Sequence, residues 1–280
     1  MSHALRVVVP VVALAALLSA CSGSGSSPPS AGGSPGQHSS APGPPASSSG
    51  QVPVQPATAP QVGSCYRLGY DEALAPTLAK RPAPCTRVHT AVAFFVGRFD
   101  RHLAVDGAQV RHLESTACTH RFATYVGGTL DQRRVSMLRT VWFAPSAEQA
   151  AVGSHWFVCT AIALRGDQNL ALLRGPLHGV LAETAGRDHY GMCGTAEPGQ
   201  AGFEQRVCAA PHAWRALRTV GFAPGIYPGV DKVRSAGEEI CKSAANDVAS
   251  DPLHYTWSYQ WPSRQQWRAG QTYGVCWTPS

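Results

Sequence analysis

Along residues 106–126, apolar side chains recur at three- and four-residue spacings: Val110, Leu113, Ala117, Cys118, Phe122 and Tyr125. That period marks one face of an α-helix. Gly127-Gly128 follows and ends it. The pattern returns at Val233, Ala236, Ile240, Cys241, Ala245 and Val248, with Asp251-Pro252 beyond. Both stretches predict a helix that turns a cysteine toward the core. Other runs are rich in Val, Phe, Thr and Trp and have strand length: 89–96, 134–143 and 156–164, then 207–220, 255–261 and 272–277. Each set of three runs with its helix predicts a small antiparallel sheet with one packed helix, an α+β domain.

The two sets are related. Of nine cysteines, eight divide into Cys65, Cys85, Cys118, Cys159 and Cys193, Cys208, Cys241, Cys276. The second and third of each set are 33 positions apart in both. At the same offset His89 matches His212, Phe99 matches Phe222 and Arg111 matches Arg234. Nearer the ends, Pro145-Ser146 matches Pro262-Ser263, Gly153 matches Gly270, Trp142 matches Tyr259 and Trp156 matches Tyr273. The sequence therefore predicts two tandem disulfide-stapled domains, 61–165 and 191–280, with a connector at 166–190. Four cysteines allow three pairings; first-to-second and third-to-fourth is favoured here. Zinc is the competing use, since Cys-x3-His occurs twice, but the close Cys pairs of structural zinc sites are missing.

The first 60 residues are of another kind. Arg6 precedes a run of apolar residues, 7–18, that is short for a bilayer span, and the run ends in Leu18-Ser19-Ala20-Cys21. This resembles the bacterial lipobox. The resemblance implies that 1–20 is a lipoprotein signal peptide and that Cys21 carries a diacylglycerol, with palmitate among its acyl chains. Residues 21–60 are rich in Ser, Gly and Pro and have no aromatic side chain. Such a segment buries too little apolar surface to order itself and reads as a disordered tether, about 35 Å end to end. The expected location is the extracytoplasmic face of the cell membrane, with the membrane as partner through the lipid. In that oxidising setting an even cysteine set predicts disulfides.

Charge adds little. The net charge is +6, and arginine is scattered, with only Arg133-Arg134 adjacent. Nucleic-acid binding needs a clustered basic face, so no nucleic-acid partner is expected. His89 and His212 are candidate binding residues, with a structural use beside the cysteine as the competing reading. Arg111 and Arg234 are candidates for an acidic partner, and Trp261 and Trp267 for a glycan or protein contact. Ser146 and Ser263 follow proline and read as helix caps. None of Asp100, Asp106, Glu114 and Glu148 recurs in the second set; their partners are Ala223, Gly229, Gly237 and Gln265. Carboxylates thus lie outside the repeated framework, and neither a catalytic residue, a metal ligand nor a cofactor is expected.

Gly63-Ser-Cys65, the run Val207-Cys-x-x-Pro-His212, the helix cysteines and Trp267-x-x-Gly270 resemble the septum formation domain family of actinobacterial envelope proteins. The likeness covers 61–280, once per set. It implies a link to cell division and the envelope and brings no enzymatic activity with it. Val88 stands where the second set has Pro211, and Val92 and Arg215 stand where the family often has an acidic residue. The expected function is a non-catalytic, membrane-anchored binding or scaffold module that contacts an envelope or division protein or a glycan. The alternatives are a cell-wall enzyme with its site in one set only and a ligand-sensing lipoprotein.

Overall fold

A computed structural model describes residues 53–175 and 177–280. The lipobox, Cys21 and the tether up to residue 52 lie outside the described residues. The first half contains β1 (Cys65–Tyr66), α1 (Tyr70–Leu74), β2 (Ala91–Arg98), α2 (Ala108–Val126), α3 (Leu130–Arg134), β3 (Leu138–Phe143), α4 (Ala147–Ala151), β4 (Trp156–Gly166) and β5 (Asn169–Leu170). A connecting helix, α5 (Thr184–Tyr190), leads to β6 (Met192–Gly194), β7 (Gln205–Val207), β8 (Trp214–Gly221), α6 (Val230–Ser235), α7 (Glu238–Asn246), β9 (Ser258–Gln260), α8 (Arg264–Arg268) and β10 (Tyr273–Pro279).

The architecture is α+β with two antiparallel sheets. The first runs β1-β2-β4-β3, with β5 also on β4, and the second runs β7-β6-β8-β10-β9. Four strands of each follow one order, β1-β2-β4-β3 against β6-β8-β10-β9. Register agrees as well. Cys65 faces Val92 and Cys193 faces Arg215, each opposite the third residue after the matched histidine. Trp142 faces Cys159, and Tyr259 faces Cys276.

Four disulfides join Cys65–Cys85, Cys118–Cys159, Cys193–Cys208 and Cys241–Cys276. This is the first-to-second, third-to-fourth pairing, closed within each half. Cys118, Cys159, Cys241 and Cys276 are fully buried. Each of these two bonds ties a helix to a central strand, because the apolar face of the helix points the cysteine at the sheet.

The structure corrects several expectations from the sequence. The helix expected in the second half is two, α6 and α7, broken at Gly237; Ile240 and Val248 consequently face solvent. The strand expected over 207–220 is interrupted by a turn after Cys208, which separates β7 from β8. Arg134 belongs to α3 rather than to a strand. Thr129 caps that helix, its hydroxyl accepting from Gln132 N–H while Gln132 Oε1 accepts from Thr129 N–H. The first half adds the short helices α1, α3 and α4 to the 19-residue α2, and the second adds α8 to α6 and α7. The tether ends earlier than residue 60: Ala57 O accepts from Trp156 Nε1 at 2.9 Å, and Ala57 N donates to Ser154 Oγ at 2.7 Å.

The described residues form one compact unit. Its largest buried cluster takes Val92, Phe94 and Cys159 from the first half, Leu177 and Leu181 from the connector, and Val207, Ala216, Val275 and Trp277 from the second. Backbone bonds tie the first half to the connecting helix, from Met137 N to Tyr190 O, and to the second half, from Met192 N to Val135 O. Asp131 Oδ1 accepts from both the backbone N–H and the hydroxyl of Thr219, and the Arg134 guanidinium lies 4.3 Å from the centre of the Tyr273 ring. The connector is thus part of the core, and the halves share buried surface. Among the described residues no helix is long and apolar enough to cross a membrane.

Candidate functional site

Within the first half, the stretch after α1 returns to the end of β3. Ala144 N donates to Pro76 O at 3.0 Å, and Thr77 bridges Ala144 in parallel. This leaves an open cleft of about 650 Å³ between α1, the start of α2, β3 and α4. Its walls are mainly apolar, with Leu74, Pro76, Val105, Val141, Trp142 and Ala144 among them.

Glu114 sits in this wall at 4% exposure. It lies on the buried stripe of α2 because Val110, Glu114 and Cys118 follow at intervals of four. Val110 and Cys118 are fully buried, so the same geometry that packs them carries the carboxyl inward. Among the described residues Glu114 Oε1 has no hydrogen-bond partner, and neither has Thr140 Oγ1 from β3 in the same wall. Burial pushes the Glu114 carboxyl up to about 7, against the opposing pull of the Arg111 guanidinium. A carboxyl tuned to neutrality in a cleft is a recurring property of functional sites.

The matched positions in the second half differ. Glu114 is replaced by Gly237, Ala144 by Trp261 and Trp142 by Tyr259, while Arg111 is kept as Arg234. Arg234 lies over the Trp261 ring, 4.7 Å from its centre. There the wall position of Ala144 holds an indole, and the carboxyl is missing.

The candidate residues of the repeated framework fall at separate places. His89 is buried and its ring Nδ1 lies 2.9 Å from Arg87 O; His212 repeats this with Ala210 O at 2.8 Å. Each ring nitrogen donates to the carbonyl two residues back, which pins the turn ahead of β2 or β8. Arg111 donates to Asp106 O and lines the cleft, so it is the candidate that stands at the site. Trp261 is half-buried under Arg234. Trp267 is buried and donates from Nε1 to Gly225 O at 2.7 Å. Ser146 and Ser263 cap α4 and α8, each in a reciprocal box with the glutamine three residues on. Among the described residues no three His, Cys, Asp or Glu side chains gather as metal ligands would.

Glu114 is the site residue that the sequence expectations miss, because it does not recur in the second half. Its signal is the four-residue spacing between Val110 and Cys118, which puts an acidic residue on an apolar stripe.

A family model described as septum formation matches residues 98–276, one match that runs from the end of β2 into β10 and so across both halves. No curated protein and no solved structure matches the chain.

Proposed function

We propose, from the premise that the chain belongs to the septum formation family, that it is a non-catalytic binding module of the cell envelope serving that process. It is held at the extracytoplasmic face of the membrane by a lipid on Cys21. Its two halves are copies of one unit, which the shared strand order, the matched register and the repeated disulfides support. The first copy has diverged into the binding half.

The observation that carries this reading is the cleft over Glu114. It has the volume and the apolar lining of a ligand site with a few convergent polar groups. A photo-crosslinking residue at Leu74, which is exposed at the cleft lip, tests it in the native membrane. A septal component is expected to be captured from Leu74 and not from Leu253, which is exposed in the second half. Identical adducts from both positions, or a protein spread evenly over the envelope, would overturn it.

One observation favours a second reading, an enzyme with its site in one half. A carboxyl near neutrality is suited to proton transfer. Such an enzyme needs a second reacting group beside Glu114. The hydroxyl of Ser146, the one serine in the cleft wall, is engaged in capping α4 and in a bond to Glu148.

A further inference from the structure

We infer that the first-half cleft takes a small organic amine, with its ammonium on Glu114 and Thr140 and its apolar body against Pro76, Val141 and Trp142. The inference rests on reading the cleft as the binding site. It does not depend on where in the cell the protein works.

Three observations converge. Glu114 Oε1 and Thr140 Oγ1 are both buried and both without a partner among the described residues, and they line one cavity. Leaving such atoms unmet costs about 1–3 kcal/mol each. The ionised carboxylate accepts and the hydroxyl oxygen can accept, and an ammonium brings three donors and no acceptor. A ligand with that head group can donate to either atom from within the cavity that both line.

The sign of charge agrees. The ionisable groups of the wall are Asp106, Glu114 and Glu148 against Arg111 alone. Arg111 is already turned to Asp106 O. Glu148 accepts from the Ser146 hydroxyl, which holds its carboxyl below the usual range and so keeps it charged. A cation entering this cleft meets net negative charge. The half-buried Trp142 supplies a ring of the kind that attracts ammonium groups and covers apolar carbon.

The comparison between halves gives the third observation. The shared framework keeps the arginine but drops the carboxyl and inserts an indole at the Ala144 position. At these wall positions the second half has a glycine in place of the Glu114 carboxyl and an indole in place of the Ala144 methyl.

The test uses the purified full chain with its disulfides intact. Phenethylamine is titrated against it by calorimetry, and 2-phenylethanol serves as the neutral probe of the same shape. The amine is expected to bind at least tenfold more tightly than the alcohol at pH 8. Its affinity is expected to fall about tenfold between pH 8 and pH 6, as a carboxyl titrating near 7 takes up its proton. E114Q preserves side-chain volume and is expected to lose at least tenfold in amine affinity with little change for the alcohol. A144W, which copies the second half, is expected to abolish binding of both. Equal affinity for the two probes, full amine binding by E114Q, or no amine binding at millimolar concentration overturns the inference. None of these results bears on capture of a septal component in cells.

Discussion

The ring of Tyr259 covers Gly237 so closely that a Cβ on the glycine would stand 2.2 Å from it. The contact lies at the turn that separates α6 from α7, where the first half has the single helix α2. The chain bends between α6 and α7 where the tyrosine presses in. G237A therefore sets two effects against each other. Alanine improves helix propensity by about 1 kcal/mol, while forced overpacking costs about 1–3 kcal/mol. Because the blocking atoms belong to a buried ring, overpacking should win, and the variant should unfold at lower denaturant concentration. Adding Y259L should restore part of the loss. A G237A protein more stable than the parent would show that the ring yields freely.

Glu114 makes a prediction in pH. Its carboxyl titrates near 7 in the folded protein against an ordinary value of 4.5. Between these values the folded state holds the proton and the unfolded state has lost it. Stability from this group is therefore unaffected below about pH 4.5, falls as pH rises to about 7, and stays reduced above. The full penalty is about 3 kcal/mol. E114Q has no proton to lose and should remove this slope. Denaturant unfolding of both proteins at pH 5 and pH 8 measures the difference. The variant should gain relative to the parent at pH 8 and match it more closely at pH 5.

Much of the fold is legible in the sequence because its signals are local. The helical period around Cys118 is set by which face must turn inward. The strands β2, β4 and β10 show as runs rich in β-branched and aromatic residues that are buried on both faces, and the cysteine spacings mark closed loops within each half. What escapes depends on partners far away in the chain. Nothing between residues 230 and 248 announces Tyr259, whose ring lies against Gly237 at the turn between α6 and α7. The turn after Cys208, where Ala210 N–H donates to Val207 O, has its local signal in Pro211, but the apolar residues on both sides carry the expected strand across it. The α3 box at Thr129 and Gln132 is local, but the apolar run after it draws the expected strand forward to Arg134. The site is half legible. Arg111 stands out because it recurs in both halves, whereas Glu114 lacks a counterpart, and that lack is what distinguishes the cleft.

The disulfides should differ in how readily they open. Cys85 is exposed, whereas both cysteines of Cys118–Cys159 and of Cys241–Cys276 are fully buried. A thiolate must reach a sulfur in line to exchange with it. Mild reduction of the folded protein should therefore open Cys65–Cys85 first, read by alkylation and peptide mass mapping. The Cys118–Cys159 bond closes a loop of 41 residues against 20 for Cys65–Cys85. Loop entropy alone makes its removal costlier by about 0.6 kcal/mol. The C118A/C159A protein should thus be less stable than C65A/C85A, and the loss of packing around two buried sulfurs adds to the gap.

The bond from Thr219 to Asp131 tests whether the halves stand or fall together. Asp131 lies in the first turn of α3 in the first half, and Thr219 lies in β8 of the second. One carboxylate oxygen takes both the backbone N–H and the hydroxyl of the threonine, and Thr219 is itself buried. Replacing Asp131 with alanine leaves two buried donors unmet. Charge-assisted bonds of this kind are each worth about 1.5–3 kcal/mol, so D131A should lose about 2–4 kcal/mol once water meets part of the demand. The pattern of the loss is the more telling result. If the core that spans Val92, Leu181 and Val275 binds the halves into one cooperative unit, probes in either half will report the same lowered midpoint. Trp142 can be followed in the first half and Trp277 in the second. If instead only one probe moves, the halves unfold separately, and the shared core is a contact between two independent folds.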